Sequence, residues 1–171
     1  DRYKKIFLDQ NRIDNGKTFI KQNLKVLKQA EKDFGVPKEI IVSILGVETR
    51  YGKIMGNHRV LDSLTTLGFD FPRRADFFRQ ELIDFFILCR ENNLDPLSIN
   101  GSYAGAMGYG QFISSSYRAY AVDYDGDNNA DLFNSKSDAI GSIANYLQIH
   151  GWQPSSDIIL SLIHISEPTR P

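Results

Sequence analysis

Ile40-Ile41-Val42-Ser43-Ile44-Leu45-Gly46-Val47-Glu48-Thr49-Arg50-Tyr51-Gly52 is the stretch that decides how this chain folds. Ile41, Ile44 and Leu45 recur at the three- and four-residue spacing that lays side chains along one face of an α-helix. Pro37 suits the first turn of such a helix and Gly52 its end, so the pattern predicts a helix from about Pro37 to Tyr51. The apolar run from Ile40 to Val47 is interrupted by Ser43 and is far too short to cross a bilayer. Glu48 follows those anchors by seven, four and three residues, and therefore projects from the same stripe. A glutamate on the solvated face of a helix carries no message. One on the apolar stripe is desolvated, and desolvation favours its protonated form. A carboxylic acid that keeps its proton near neutral pH is what a general acid for glycosidic cleavage has to be. The structural alternative is a glutamate at the rim of the core, paired with Arg50, Arg73 or Arg74. Periodicity alone leaves both readings open.

Outward from that helix the pattern stays helical. Phe19, Ile20, Leu24, Leu27 and Ala30 predict a helix over Thr18–Phe34, stopped by Gly35. Pro72 opens another that runs through Phe77, Phe78, Leu82, Ile83 and Phe86 to about Asn92. The segment from Gly101 to Gly110 holds four glycines in ten residues and reads as a loop. A short helix is expected over Gln111–Ala121, then an Asp-rich loop, then a helix from about Asp138 to His150. Period-2 alternation is nearly absent and no internal repeat occurs, so the chain is expected to be all-α or nearly so.

Composition closes off several functional classes. The 171 residues are one domain's worth, and 42% hydrophobic against 24% charged is a core-forming balance that excludes a disordered chain. Twenty Lys and Arg against 21 Asp and Glu leave a net charge of -1, which speaks against nucleic acid as a partner. Nothing signals a nucleotide or redox group, so no organic cofactor is expected. The single cysteine, Cys89, has no partner for an internal disulfide and lies in the apolar run Phe85-Phe86-Ile87-Leu88, where it reads as a core residue.

The loop Asp123-Tyr124-Asp125-Gly126-Asp127-Asn128-Asn129-Ala130-Asp131 puts carboxylates at positions 1, 3, 5 and 9. That alternation folds oxygens around one hard cation, with the position-7 carbonyl of Asn129 as a further ligand. It departs from an ordinary EF-hand at position 6, where Asn128 replaces Gly, and at position 12, where Asn134 cannot chelate as a bidentate Glu does. Asn tolerates the left-handed conformation better than most residues. Asp138, at the start of the next helix, is the expected substitute ligand. The set Asp123, Asp125, Asp127, Asn129 and Asp138 thus reads as a structural Ca²⁺ clip, with a solvated acidic turn as the bland alternative.

Taken together, these blocks resemble one family. Gly35-Val36-Pro37-Lys38-Glu39-Ile40-Ile41, Gly46-Val47-Glu48-Thr49-Arg50-Tyr51-Gly52, Arg59-Val60-Leu61-Asp62 and Phe71-Pro72-Arg73-Arg74-Ala75 are similar, in order, to the membrane-bound lytic murein transglycosylase B family of Gram-negative bacteria. So are Gly101-Ser102-Tyr103-Ala104-Gly105-Ala106-Met107-Gly108-Tyr109-Gly110-Gln111-Phe112 and Asp138-Ala139-Ile140-Gly141-Ser142-Ile143-Ala144-Asn145-Tyr146. The resemblance implies a lysozyme-like helical catalytic domain that cuts peptidoglycan between N-acetylmuramic acid and N-acetylglucosamine. It makes Glu48 the single acid/base and implies substrate contacts for Ser102, Gln111, Tyr146, Arg73 and Arg74. For the two arginines a structural role is equally open, and without the family the Gly-rich segment is a plain connector. The 1,6-anhydromuramoyl product follows because the muramoyl 6-hydroxyl, rather than water, closes onto C1. Substrate groups then stand in for the second carboxylate of ordinary glycosidases. A water-using muramidase drawing on Asp62, Asp70 or Asp76 is the nearest rival. A non-catalytic, calcium-stabilised wall-binding module is the rival from another class.

The resemblance further implies a monomer whose partners are peptidoglycan glycan strands, with cell-wall synthesis proteins as further candidates. It also implies a periplasmic location, with outer-membrane anchoring in the full-length protein. Met-Pro is common in the family where Ile113-Ser114 stands here, a change of local stiffness more than of chemistry. Family members continue well past Gly151-Trp152, so the catalytic domain, residues 1–159 with its EF-hand-like loop at 123–138, is expected to be truncated at the C-terminus and weakly active or inactive. Residues 160–171, Leu160-Ser161-Leu162-Ile163-His164-Ile165-Ser166-Glu167-Pro168-Thr169-Arg170-Pro171, resemble a translated sequencing adapter and are expected to be non-native. An ordinary amphipathic tail is the competing reading.

Overall fold

The computed structural model describes residues 9–154, and seven α-helices run through these described residues. They are α1 (Gln10–Gln22), α2 (Leu24–Phe34), α3 (Lys38–Thr49), α4 (Val60–Phe69), α5 (Ala75–Glu91), α6 (Ser114–Tyr120) and α7 (Lys136–Ile149). Two two-residue strands, β1 (His58–Arg59) and β2 (Asn100–Gly101), pair antiparallel with His58 opposite Gly101. The domain is all-α in substance, and that short ladder of two residue pairs joins the entrance of α4 to the Gly-rich loop.

Helix α7 is the least solvated element, with an unbroken buried run from Asp138 to Ala144. Helices α2 and α3 pack against it on one side and α6 on another, while α4 lies along α5. Leu27, Ile41, Leu45, Phe85, Leu88, Leu132 and Ile140, all at most 1% exposed, form one continuous core across these helices. Cys89 belongs to it, and burial pushes its thiol up to about 11, so it is inert packing.

One expectation needs correction, and one helix was not foreseen. The helix predicted over Thr18–Phe34 begins earlier, at Gln10, and breaks at Asn23. There the Asn23 side chain donates to the Phe19 carbonyl at 2.9 Å and competes with the helix's own ladder. Helix α4 carries no strong helical signal in Val60–Phe69, because two threonines and a glycine dilute it. Packing of Val60, Leu64 and Gly68 against the rest of the fold supplies what local propensity lacks. The other elements fall within a few residues of their predicted positions, with α5 preceded by a short 3₁₀ turn over Pro72–Arg74.

Candidate active site

Glu48 is the penultimate residue of α3. The apolar stripe beneath it is real: Ile41 and Leu45 are fully buried and Ile44 is half-buried. At Glu48 the stripe reaches the surface, so the side chain is exposed rather than buried as the spacing suggested. Its carboxyl is nevertheless held above the ordinary glutamate value by partial desolvation, the sole cause acting on it. Among the described residues it forms no ion pair. The arginines named as its structural partners are engaged otherwise or stand in solvent. Arg74 lies over the Phe77 ring at 4.3 Å, Arg73 is exposed, and Arg50 forms the C-cap of α3.

Directly after Glu48 and Thr49 the backbone enters the left-handed region at three consecutive residues, Arg50 (φ 50°), Tyr51 (φ 63°) and Gly52 (φ 86°). Such a conformation is unfavourable for a bulky side chain and persists only where neighbours hold it. Two side chains do so. Thr49, fully buried, donates its hydroxyl to the Tyr109 carbonyl at 2.9 Å and accepts from the Gly52 amide at 3.0 Å. Tyr51 turns back under the helix and donates its hydroxyl to the Arg12 carbonyl at 2.9 Å. Gly46 makes room for it, since a Cβ there would stand 2.6 Å from the Tyr51 oxygen. Gly52 is required twice, by its positive φ and by the Tyr109 ring packed on its α-carbon.

The Gly-rich loop is therefore stitched to the end of the Glu48 helix. Gln111 adds a second stitch, donating its side-chain amide to the Met55 carbonyl at 3.2 Å and to the Gly108 carbonyl at 3.1 Å. Those bonds occupy the NH₂ and leave the side-chain carbonyl as the group that can meet substrate. Ser102 accepts the amides of Ala104 and Ala106 and so folds its own loop; its hydroxyl proton remains to be given. Tyr146, half-buried on α7, packs edge-on against Phe112 and Tyr120 and stacks on His150 at 4.0 Å. The Phe112 contact ties it to the same loop. Arg73 and Arg74 belong to the separate α4–α5 elbow.

Three features escaped the sequence. The Thr49–Tyr109 bond joins residues 60 apart, which no local pattern reveals. Glu81 is a buried carboxylate on α5 that bonds Ser115. A concavity of about 410 Å³ between Arg59, Asp62, Ser63 and Thr66 and the exposed ring of Tyr103 does not take in Glu48.

In the Asp-rich loop, Asp123, Asp125 and Asp138 bring one carboxylate oxygen each within 4.8 Å of one another. Asn128 adopts the left-handed conformation its position demands, with φ 71°. Asp138, fully buried, accepts the amides of Tyr124, Asp125 and Asp131. Burial pushes its carboxyl up, against the pull of those three donors. Asp127 and Asn129 share the exposed loop, the carboxylate of one accepting the amide of the other at 2.8 Å. Three converging hard oxygen donors with no Lys or Arg ion-paired to them suit a divalent cation of the calcium type.

Residues 1–167 match the model of the transglycosylase SLT domain. The chain belongs to that family. This SLT domain is 51% identical over 151 residues to membrane-bound lytic murein transglycosylase B of Escherichia coli, a match covering 88% of the chain and 42% of the relative. It superposes with a TM-score of 0.89 on the soluble lytic transglycosylase SltB1 of Pseudomonas aeruginosa, 54% identical, covering 91% of the chain and 52% of SltB1. The Escherichia coli lytic transglycosylase Slt35, solved in complex with calcium, superposes with the same score at 42% identity, covering 99% of the chain and 61% of Slt35. SltB3 of Pseudomonas aeruginosa, solved with NAG-NAM-pentapeptide and with NAG-anhNAM-pentapeptide, gives 0.86 at 35% identity, covering 91% of the chain and 41% of SltB3. The SLT domain thus has the lysozyme-like helical fold of these enzymes and spans about half the length of the relatives it matches.

Proposed function

We propose that this SLT domain is the catalytic part of a peptidoglycan lytic transglycosylase, with Glu48 as its only acid/base. The observation that carries the reading is the state of Glu48: a carboxyl raised by desolvation, free of any ion pair among the described residues, at the end of a helix held by a strained turn. Protonated Glu48 gives its proton to the glycosidic oxygen as the bond from muramoyl C1 breaks. The resulting carboxylate takes the proton of the muramoyl 6-hydroxyl as that oxygen bonds C1, which restores the acid and consumes no water. Ser102, Gln111 and Tyr146 are assigned to the sugar, as hydrogen-bonding and packing groups, and Arg73 and Arg74 to the border of the cleft.

Asp123, Asp125 and Asp138 are proposed to hold a structural Ca²⁺, with Asp127 and the Asn129 carbonyl completing its ligands. The ion would neutralise the loop's charge and take no part in the chemistry. The substrate is proposed to be murein, reached at the cell envelope, as the names of the relatives indicate for them. The protein is taken to act as a monomer, with residues 1–159 as its catalytic unit. The tail from 160 onward, proposed to be adapter-derived, lies outside the described residues.

Glu48→Gln in the full-length protein, assayed by mass spectrometry of muropeptides released from purified sacculi, tests the reading. Anhydro-terminated products from the wild type and none from the variant are expected. Reducing-end products from the wild type, or undiminished products from the variant, would overturn it.

A further inference from the structure

Glu81 is an ionisable side chain for which the reaction has no direct use. It is 3% exposed, on the face of α5 that also buries Phe78 and Phe85. Its two oxygens accept from a single residue, the Ser115 amide at 3.0 Å and the Ser115 hydroxyl at 2.6 Å. Among the described residues no lysine or arginine forms an ion pair with it. Burying a carboxylate away from a cation is unfavourable, and apolar packing would join two helices more stably. The same two helices are already fastened, because Arg118 on α6 bonds both Asp84 and Glu91 on α5.

What Glu81 fixes, and Arg118 does not, is the first turn of α6. Ser115 comes three residues after Phe112 and four after Gln111. Phe112 packs against Tyr146, Gln111 is bonded to the Met55 carbonyl, and the carbonyl of Tyr109 receives the hydroxyl of Thr49, the residue next to Glu48. We propose that Glu81 is a positioning residue for the acid/base site. By setting where α6 begins, it sets the Tyr109–Phe112 turn against the end of the Glu48 helix. A pair of bonds from two oxygens to one residue defines that start in both distance and orientation, which a greasy contact would not. The proposal rests on the functional reading above.

The test uses the full-length protein and the rate of anhydro-product formation over a range of muropeptide concentrations. Glu81→Leu fills the same buried site with an apolar side chain and removes the acceptors of both Ser115 donors. The expected result is a fall in kcat of tenfold or more, with KM within twofold and a melting temperature still well above the assay temperature. In a Gln111→Ala background the same exchange should lower kcat less than threefold, because the turn it positions has already lost its substrate-facing side chain. Ser114→Ala is the control, since its buried hydroxyl has no partner, and its kinetics should match the wild type. If Glu81→Leu does not fold, Ser115→Ala removes one of the two bonds, and a threefold or larger loss of kcat is expected. Unaltered kcat in the variant that folds, or a full multiplicative loss in the Gln111→Ala background, would overturn the positioning role alone. A wild type that makes no anhydro product would overturn the functional reading, and this proposal with it.

Discussion

Replacing Thr49 by Val is the sharpest probe of how the fold holds the site. The exchange keeps the shape of a fully buried side chain and deletes only its hydroxyl. That hydroxyl is donor to the Tyr109 carbonyl and acceptor for the Gly52 amide, so both backbone groups lose their partner. A polar group left unpaired away from water costs about 1–3 kcal/mol. Tyr109 and Gly52 are half-buried and water reaches them in part, which favours the lower half of that range. Two such groups amount to about 2–4 kcal/mol, and at roughly 2–4 °C per kcal/mol for a domain of this size the melting temperature should drop by roughly 4–16 °C. Thr49→Ser keeps the hydroxyl and loses one methyl group, for about 1 kcal/mol. Thermal unfolding of the three proteins separates the effects, and muropeptide release measured well below every transition reports on the site. Thr49→Val should also lower kcat, because the same bond holds the Gly-rich loop beside Glu48. A Val variant melting within about 2 °C of the wild type, or a Ser variant as unstable as the Val one, would refute the reasoning.

Further outcomes follow from the same geometry. Because the folded protein holds the Glu48 proton more tightly than the unfolded chain does, its contribution to stability is full below the ordinary value of 4.5 and is lost as pH rises through the raised folded pKa. Glu48→Gln escapes that loss, so its melting temperature relative to the wild type should climb as pH rises above the ordinary value of 4.5; a falling difference would contradict the desolvation. Calcium should raise the melting temperature of the wild type and not that of Asp123→Ala, whereas equal melting with calcium and with chelator would count against the site. Gly46→Ala gains about 1 kcal/mol of helix propensity but drives a methyl into the Tyr51 ring, at about 1–3 kcal/mol plus the weakened bond to Arg12. A net fall in melting temperature is expected, and an unchanged or raised one would show that Tyr51 can move aside.

Legibility in the sequence followed the range of the interaction. Helices α3, α5 and α7 could be read because each buries a stripe whose period lies within one helix. The break at Asn23 could not, since Leu24, Leu27 and Ala30 continue the spacing while one side-chain amide takes the Phe19 carbonyl. Helix α4 was hidden for the opposite reason, a weak local signal rescued by tertiary packing. Glu48 was nominated by its spacing, but the same spacing misjudged its exposure, because a stripe says which face a residue shares and not where the core ends. The bonds from Thr49 to Tyr109, Gln111 to Met55 and Glu81 to Ser115 span 60, 56 and 34 residues, and only the folded chain brings them together.

The other carboxylates bear on whether Glu48 works alone. Asp62 is held by Arg59 and Asp76 by Arg79. Asp84 and Glu91 share Arg118, Glu81 spends both oxygens on Ser115, and Asp138 is fixed by three amides. A hydrolase needs a second carboxylate free to direct water, yet Asp62 and Asp76, two of the three sequence candidates, are already bound to arginines, and Asp70 lies exposed at the C-terminal end of α4. Glu48 combines a carboxyl raised by desolvation with an exposed side chain and no ion-pair partner among the described residues. One acid at the end of one helix suits a reaction in which the substrate's own hydroxyl replaces water. Asp70→Asn should therefore leave the yield of anhydro product within twofold of the wild type, and a loss of tenfold or more would reinstate the two-carboxylate mechanism.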